Sequence, residues 1–331
     1  MNKNIKNILK IIFFFLLAIG FVWWFVSKLS KSEINQMFQS FKNANYFWFI
    51  VAVLINLFSH YIRAIRWKQL LKPLGVNVNV NSTFFAVISG YLVNLAIPRL
   101  GEIVRSTMVS RKNHIPFDKT IGTIITERAI DLILFFIIII VSFFMEADIF
   151  KEYIFNNFNF DINKWKTIGL LCLGVCVLVI LSLFLFRNRL KNNKIFLKIK
   201  DFVIGILEGM KTILKLDKPL LFIFYSLLIW FMWILGTFVL FQCLNQTCSL
   251  SFKVAMVVTV VGAIGPMVTP GGIGIFPTIF ADTLHVYSIS KPIGYALGWL
   301  CWIVSQLGVI ILGPIGFISF AKNKKNNESN K

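Results

Sequence analysis

The chain has 331 residues, 57% of them hydrophobic, with a formal net charge of +20 and a mean hydropathy of +0.76. So apolar a composition excludes an ordinary soluble globular protein, whose chains average nearer half apolar. Its 34 Lys and Arg lie beside apolar runs rather than on a soluble fold, which argues against a nucleic-acid partner and for topology signals and anionic lipid headgroups.

Eight apolar segments follow one another. The first, about 9–27, comes after Lys3, Lys6 and Lys10 as a signal peptide would. It contains Trp23 and Trp24 and no small-x-small cleavage site follows, so it is expected to stay as a span. The second, about 46–63, is entered through Tyr46 and Trp48. The third, 82–97, has about 16 residues and stops at Pro98; the fourth, 120–145, carries charges in its first half. The fifth, about 165–186, holds Cys172 and Cys176 on one helix face as apolar packing residues. The sixth is about 220–243, the seventh, 254–269, again has about 16 residues and stops at Pro270, and the eighth is about 293–320.

Sixteen helical residues reach only ~24 Å, short of a hydrocarbon core of ~30 Å. Segments three and seven are therefore expected to re-enter rather than cross. The loop charges agree, because cytoplasmic loops are rich in Lys and Arg. Arg63, Arg66, Lys68 and Lys72 precede segment three, and Arg99, Arg105, Arg111, Lys112 and Lys119 follow it, so both its ends read as cytoplasmic. The loop with Glu146, Asp148, Glu152 and Asp161 reads as external, as does the uncharged loop 244–251, where Cys243 and Cys248 could pair. The loop after segment five is strongly basic, and apolar residues Phe202, Ile206, Met210 and Ile213 at helical spacing mark an amphipathic helix over about 195–216 on the inner leaflet.

The fold class expected is thus an all-α polytopic membrane protein. About six transmembrane helices and two short re-entrant hairpins form it, with both termini cytoplasmic in a bacterial plasma membrane. One domain covers 1–321, with halves at about 46–145 and 220–320, and a basic disordered tail covers 322–331. Short Pro-interrupted segments at matching places in two halves point to an inverted-repeat transporter; two unrelated short helices buried in a bundle would read the same way.

Three places could carry chemistry. The first tip holds Pro98, Arg99, Gly101, Glu102 and Arg105. Pro98 breaks the helix and Gly101 permits a turn. Arg99, Glu102 and Arg105 recur every three residues, so an arginine pair around a carboxylate could grip a phosphate if helix resumes there. Glu127, Arg128 and Asp131 fall well inside segment four, where ionisable groups are costly and face a partner or a water-filled cavity. Arg99 or Arg105 is the partner expected for them. The second tip, Pro270, Gly271, Gly272 and Gly274, has no charge but exposes backbone amides, which could cradle a phosphate oxygen or simply make a packing turn. No Walker loop, metalloprotease motif or serine elbow occurs. His60, His114 and His285 are scattered singly and read as interfacial.

At these residues the chain resembles a known family. Arg66-Trp67, the Pro98-Arg99-Leu100-Gly101-Glu102 tip with Arg105, Glu127-Arg128 with Asp131, and Pro270-Gly271-Gly272-Ile273-Gly274 look like the membrane part of lysylphosphatidylglycerol synthases, the flippase-like, YbhN-type membrane family. The resemblance covers nearly the whole chain. It implies movement of a lipid between leaflets, an aminoacylated phospholipid in members fused to a cytoplasmic aminoacyl-transfer domain. This chain ends at Lys331 with no room for that domain, so synthase activity is not expected. Phe276 and Pro277 also stand where many members place an acidic residue.

The leading expectation is a lipid flippase or transporter that needs no cofactor and is not an enzyme. Its substrate would be a phosphate-bearing lipid, bound by Arg66, Arg99, Glu102, Arg105, Glu127, Arg128, Asp131 and the glycine tip. The alternative is an intramembrane lipid-modifying enzyme, or the membrane subunit or scaffold of one, with a lipid-modifying enzyme as partner.

Overall fold

The computed structural model of the protein describes residues 19–20, 22–97, 99–147 and 216–329, with the side chains of its last helix up to Phe320. Most of the first apolar segment, Pro98, the acidic loop beyond residue 147, the fifth segment with Cys172 and Cys176, and the amphipathic helix expected over 195–216 (Leu216 apart) lie outside the described residues.

Every element among the described residues is helical. In chain order they are α1 (Lys31–Lys42), α2 (Tyr46–Leu71), α3 (Val80–Ala96), α4 (Leu100–Asn113), α5 (Phe117–Met145), α6 (Pro219–Phe241), α7 (Phe252–Gly262), α8 (Gly265–Val268), α9 (Ile275–His285) and α10 (Lys291–Ser329). Short polar side chains start several of them. Asn45, Asn79 and Ser251 accept hydrogen bonds from the first free amides of α2, α3 and α7. Ser30 and Glu33 cap each other's backbone at the start of α1. That helix was not anticipated, although the Ser-x-x-Glu pattern announces it.

Four helical stretches are long and apolar enough to cross a bilayer: Tyr46–Leu74, Phe117–Met145, Pro219–Phe241 and Lys291–Phe320. Their outward faces are apolar too, with Phe58, Phe136, Phe144, Leu220 and Ile311 exposed. A helix satisfies its own backbone hydrogen bonds, so such faces can sit in lipid at no polar cost.

Contacts between segment ends define two ends of the molecule. At one, Lys72 pairs with Asp217 at 2.6 Å, Lys112 donates to Ser82 Oγ at 2.9 Å, and Lys112 lies 5.0 Å from the Phe320 ring. There the Lys72 ammonium holds the Asp217 carboxyl below its ordinary range. At the other end, Asn45 N donates to Cys243 O at 2.8 Å, and Leu250, Leu284 and Tyr287 pack in one apolar cluster. Both ends of the α3–α4 hairpin meet at the first. The open end of the α7–α9 hairpin is at the second. Each hairpin therefore enters and leaves by one face, and the two do so from opposite faces. The order long helix, hairpin, long helix occurs twice (α2, α3–α4, α5 and α6, α7–α9, α10), with the direction reversed.

Helix α10 shows how the hairpins are stacked. Its first half packs on α9, where a Cβ at Gly294 would meet Ala281 Cα at 2.9 Å and one at Gly298 would meet Pro277 Cα at 2.7 Å. Its second half packs on α3, with Gly313 against Leu92 and Gly316 against Phe85 and Ser89. Small residues let helices approach closely where no hydrophobic drive pulls them together. Midway, Trp302 Nε1 donates to Gly271 O at 2.8 Å, and Gly271 touches Leu95 near the end of α3. The two tips thus meet about halfway along one membrane-length helix.

Two expectations on element bounds need correction. Segment two does not end at Arg63; α2 runs on to Leu71, because buried carboxylates receive its arginines. Segment seven breaks at Ala263–Ile264, ahead of Pro266, rather than at Pro270. The stretch expected as a disordered tail continues α10 as far as Ser329, since no glycine or proline follows Gly316 to stop the helix.

The tip contact yields a prediction. Gly271 has φ +60° and faces Leu95, so Gly271→Ala adds about 1–2 kcal/mol of left-handed strain and a side-chain clash. Trimming the partner in Gly271→Ala/Leu95→Ala removes only the clash. Thermal melting of both variants is expected to show partial recovery in the double one.

Candidate functional site

Helix α2 is apolar except on one side. There Arg63 and Arg66, three residues apart, are 1% and 0% exposed. A buried guanidinium is tolerated only when paired, and the partners come from α5. Arg66 Nη1 lies 2.6 Å from Asp131 Oδ1 and Arg66 Nη2 lies 3.1 Å from Glu127 Oε1. Arg63 Nη1 is 3.2 Å from both Glu127 Oε1 and Asp131 Oδ2. Helix α4 adds Arg105, whose Nη2 is 3.2 Å from Glu127 Oε2. Arg128 closes the group with Nη2 at 3.3 Å from Glu127 Oε1 and Nε at 3.4 Å from Glu102 Oε1.

Glu127 is completely buried and touches all four guanidinium groups. Four arginines face three carboxylates (Glu102, Glu127, Asp131), so the cluster carries one positive charge beyond its own compensation. Helical rise places Arg63 and Arg105 each ~12 Å in from the ends of α2 and α4 at the Lys72 face, with Glu127 ~15 Å and Asp131 ~21 Å along α5. The remaining contacts fix the guanidinium planes. Arg66 Nη1 donates to Ser226 Oγ at 3.0 Å. The guanidinium carbons of Arg63, Arg66 and Arg105 stand 5.2, 5.6 and 4.9 Å from the rings of Trp233, Phe222 and Trp67. Trp67 is itself anchored by its Nε1, which donates to Thr123 Oγ1 at 2.9 Å. Exposure rises from Glu127 at 0% through Asp131 at 13% to Glu102 at 32% and Arg128 at 40%, so the cluster opens on the α4–α5 side.

The structure thus brings Arg66, Glu102, Arg105, Glu127, Arg128 and Asp131 together. It leaves Arg99 out. Arg99 caps α4 in left-handed backbone, φ +67°, before the helix begins, so the three-residue spacing to Glu102 and Arg105 does not put it on their face. It is exposed and makes no ion pair among the described residues. Arg63 was counted only as a loop charge and is instead the fourth arginine of the cluster. The signal for it was available: two arginines at i and i+3, directly continuing an apolar run, share a face that two carboxylates at i and i+4 can match. Ser226 gave no signal, because a hydroxyl in a span normally bonds its own helix.

The second tip is apart from the cluster. Gly271, Gly272 and Gly274 all have positive φ, and Gly265 and Gly272 are closely packed against Phe276. The amides of Gly272 and Ile273 donate to Thr269 O and Pro270 O, so these two are used inside the turn rather than offered as a phosphate nest. Phe276, in the place of an acidic residue, stacks near Phe280 at 4.8 Å and seals this tip with apolar surface. His60 is buried rather than interfacial, while His285 is partly exposed beside the Asp282–Lys291 pair. Cys243 and Cys248 are both free. Among the described residues no group of His, Cys, Asp and Glu could hold a metal ion.

Comparison with known sequences decides the family. The profile of the lysylphosphatidylglycerol synthase TM region matches residues 7–313. The chain belongs to the lysylphosphatidylglycerol synthase TM region family. A UPF0104 membrane protein of Methanocaldococcus jannaschii is 22% identical over 321 residues, covering 92% of this chain and 93% of that protein. A second from the same organism is 24% identical over 237 residues, covering 70% and 95%, and one from Pyrococcus horikoshii is 24% identical over 352 residues, covering 93% and 96%. These relatives of the synthase TM family are archaeal, so they lend no support to a bacterial source. No solved structure matches the chain. A multi-pass integral membrane protein with four apolar spanning helices among the described residues is what the family and the fold agree on.

Proposed function

We propose that this protein moves a lipid with an anionic, phosphate-bearing headgroup between the leaflets of its membrane. One observation carries the reading. Four arginines surround Glu127 inside the bilayer-length helices, outnumbering the carboxylates around them, with Arg128 and Glu102 at the open edge. A surplus guanidinium in low dielectric favours an anion, and arginine forks match phosphate oxygens in pairs. The acyl chains would stay in lipid while the headgroup enters beside Arg128. Displacement of the Glu102–Arg128 contact, the most exposed in the cluster, would admit it. The inverted hairpins supply a frame in which one half can rock against the other to open either face.

The test is a leaflet-resolved translocation assay in vesicles. The vesicles hold purified protein and fluorescent anionic, zwitterionic or polyprenyl-phosphate lipids. The wild-type protein is expected to move an anionic class, and Arg128→Gln to lower that rate roughly tenfold, the worth of one charge-assisted contact. Arg99→Ala, outside the cluster, is expected to change it much less. No movement of any class by a well-folded protein, together with modification of a lipid when an activated donor is supplied, would replace this reading with the enzyme or enzyme-subunit one.

A further inference from the structure

The arginine cluster has a continuation that pairing does not explain. Asn56, His60 and Arg63 occupy positions i, i+4 and i+7 of α2 and therefore lie on one face of that helix. His60 is 6% exposed, and neither of its ring nitrogens has a hydrogen-bond partner among the described residues. Asn56 Oδ1 and Arg63 Nε are covered and unpartnered in the same way. Buried polar atoms are almost always satisfied, because leaving one unmade forfeits its hydration. Three successive exceptions on one face of an otherwise apolar helix are not a packing solution, since leucine would fill the same space at no polar cost.

The face looks toward the first hairpin. The His60 ring is 5.0 Å from the Tyr91 ring on α3, and the Arg63 guanidinium carbon is 5.8 Å from it. From Arg66 to Asn56 the stripe climbs ~15 Å along the helix. Asn56 precedes Leu57, whose side chain packs on Gly308 of α10, two turns from the Trp302–Gly271 bond where the hairpin tips meet. A row of polar groups thus leads from the cluster to the level of the tips.

We infer that Asn56 and His60 contact the translocating headgroup beyond the arginine cluster and select a phosphodiester whose headgroup also carries a hydrogen-bond donor. This rests on the proposed movement of an anionic lipid. Arginine only donates, which suits phosphate oxygens alone. A neutral imidazole and a carboxamide each donate and accept. They complement a phosphate oxygen and a neighbouring hydroxyl or amine together. A headgroup without a donor leaves the acceptors as bare as they are without it.

The experiment compares fluorescent phosphatidylglycerol with phosphatidylmethanol, which has the same charge and no headgroup hydroxyl, in vesicles containing the full-length protein. The wild type is expected to move phosphatidylglycerol several-fold faster. His60→Leu and Asn56→Leu are expected to bring its rate down to that of phosphatidylmethanol, with melting temperatures no lower than wild type, while His60→Gln, which keeps a donor and an acceptor, retains most of the preference. An unchanged preference in both leucine variants overturns the inference and leaves the proposed function standing. So does a lowered melting temperature of His60→Leu, which would make His60 a packing residue. A wild-type protein that moves neither lipid overturns the proposed function itself.

Discussion

Glu127→Leu is expected to leave little folded protein. The substitution sets four arginines against two carboxylates in a place where three of those arginines are no more than 4% exposed. Breaking a buried ion pair from one side costs about 3–5 kcal/mol, because the remaining charge stays desolvated, and here one carboxylate serves four partners. That is a large share of the stability of a typical domain. The check is the yield of monodisperse protein after detergent extraction, with the melting temperature of whatever survives. The double variant Arg105→Met/Glu127→Leu separates lost pairing from lost packing. Arg105 has Glu127 as its one carboxylate partner among the described residues, and removing both restores the original excess of one positive charge. The double variant is expected to be clearly more stable than Glu127→Leu alone, a coupling that a double-mutant cycle reads directly. Equal loss in both would mean that Glu127 acts through shape and not through charge.

Gly101→Ala is expected to be nearly as damaging, for a steric reason. Gly101 and Gly90 are the closest approach of α4 to α3, and a Cβ at Gly101 would overlap the Gly90 carbonyl oxygen. The obstruction is backbone, so no rotamer change relieves it. Moving the helices apart would break the bond from Gly101 N to Asn94 Oδ1 at 2.8 Å, which closes the turn. Overpacking a tight contact costs about 1–3 kcal/mol and sometimes more; the upper part of that range is expected. Gly90→Ala, whose Cβ would lie 2.8 Å from Gly101 O, is expected to behave alike. Melting curves test the stability effect. The translocation assay tests a second consequence: a displaced hairpin carries Arg105 away from Glu127 and Leu95 away from Gly271, so surviving protein should transport poorly.

These results have a common source in how the hairpins are built, and the hairpins were legible from residue order. Segments of about 16 residues ending near prolines and glycines cannot cross a bilayer and must turn back. Lys and Arg on both sides of the first short segment agreed with that. The pair Glu127 and Asp131, four residues apart in an apolar run, announced a buried polar site for the same physical reason: carboxylates do not sit in hydrocarbon without partners. What could not be read was which arginines answer them. Arg63 and Arg66 look like the basic end of a span, because a positive charge after an apolar run normally marks the membrane surface. Only the placement of α5 against α2, with Asp131 2.6 Å from Arg66, turns that end into the interior. Arg99 shows the converse. Its spacing to Glu102 was right for a helix face, but the left-handed backbone at Arg99 starts the helix one residue too late.

The sequence by itself determined that this is a helical membrane protein, where its chain doubles back, and that charged groups lie within its spans. Each of those follows from local constraints: run length, helix breakers, and the cost of charge in lipid. The tertiary structure alone decided the rest. It settled that Glu127 is shared by four arginines, that the two hairpin tips meet at Leu95 and Gly271, and that His60 is buried without a partner. All three depend on contacts between residues far apart in the chain, and such contacts are fixed by how whole helices pack rather than by any spacing along one of them.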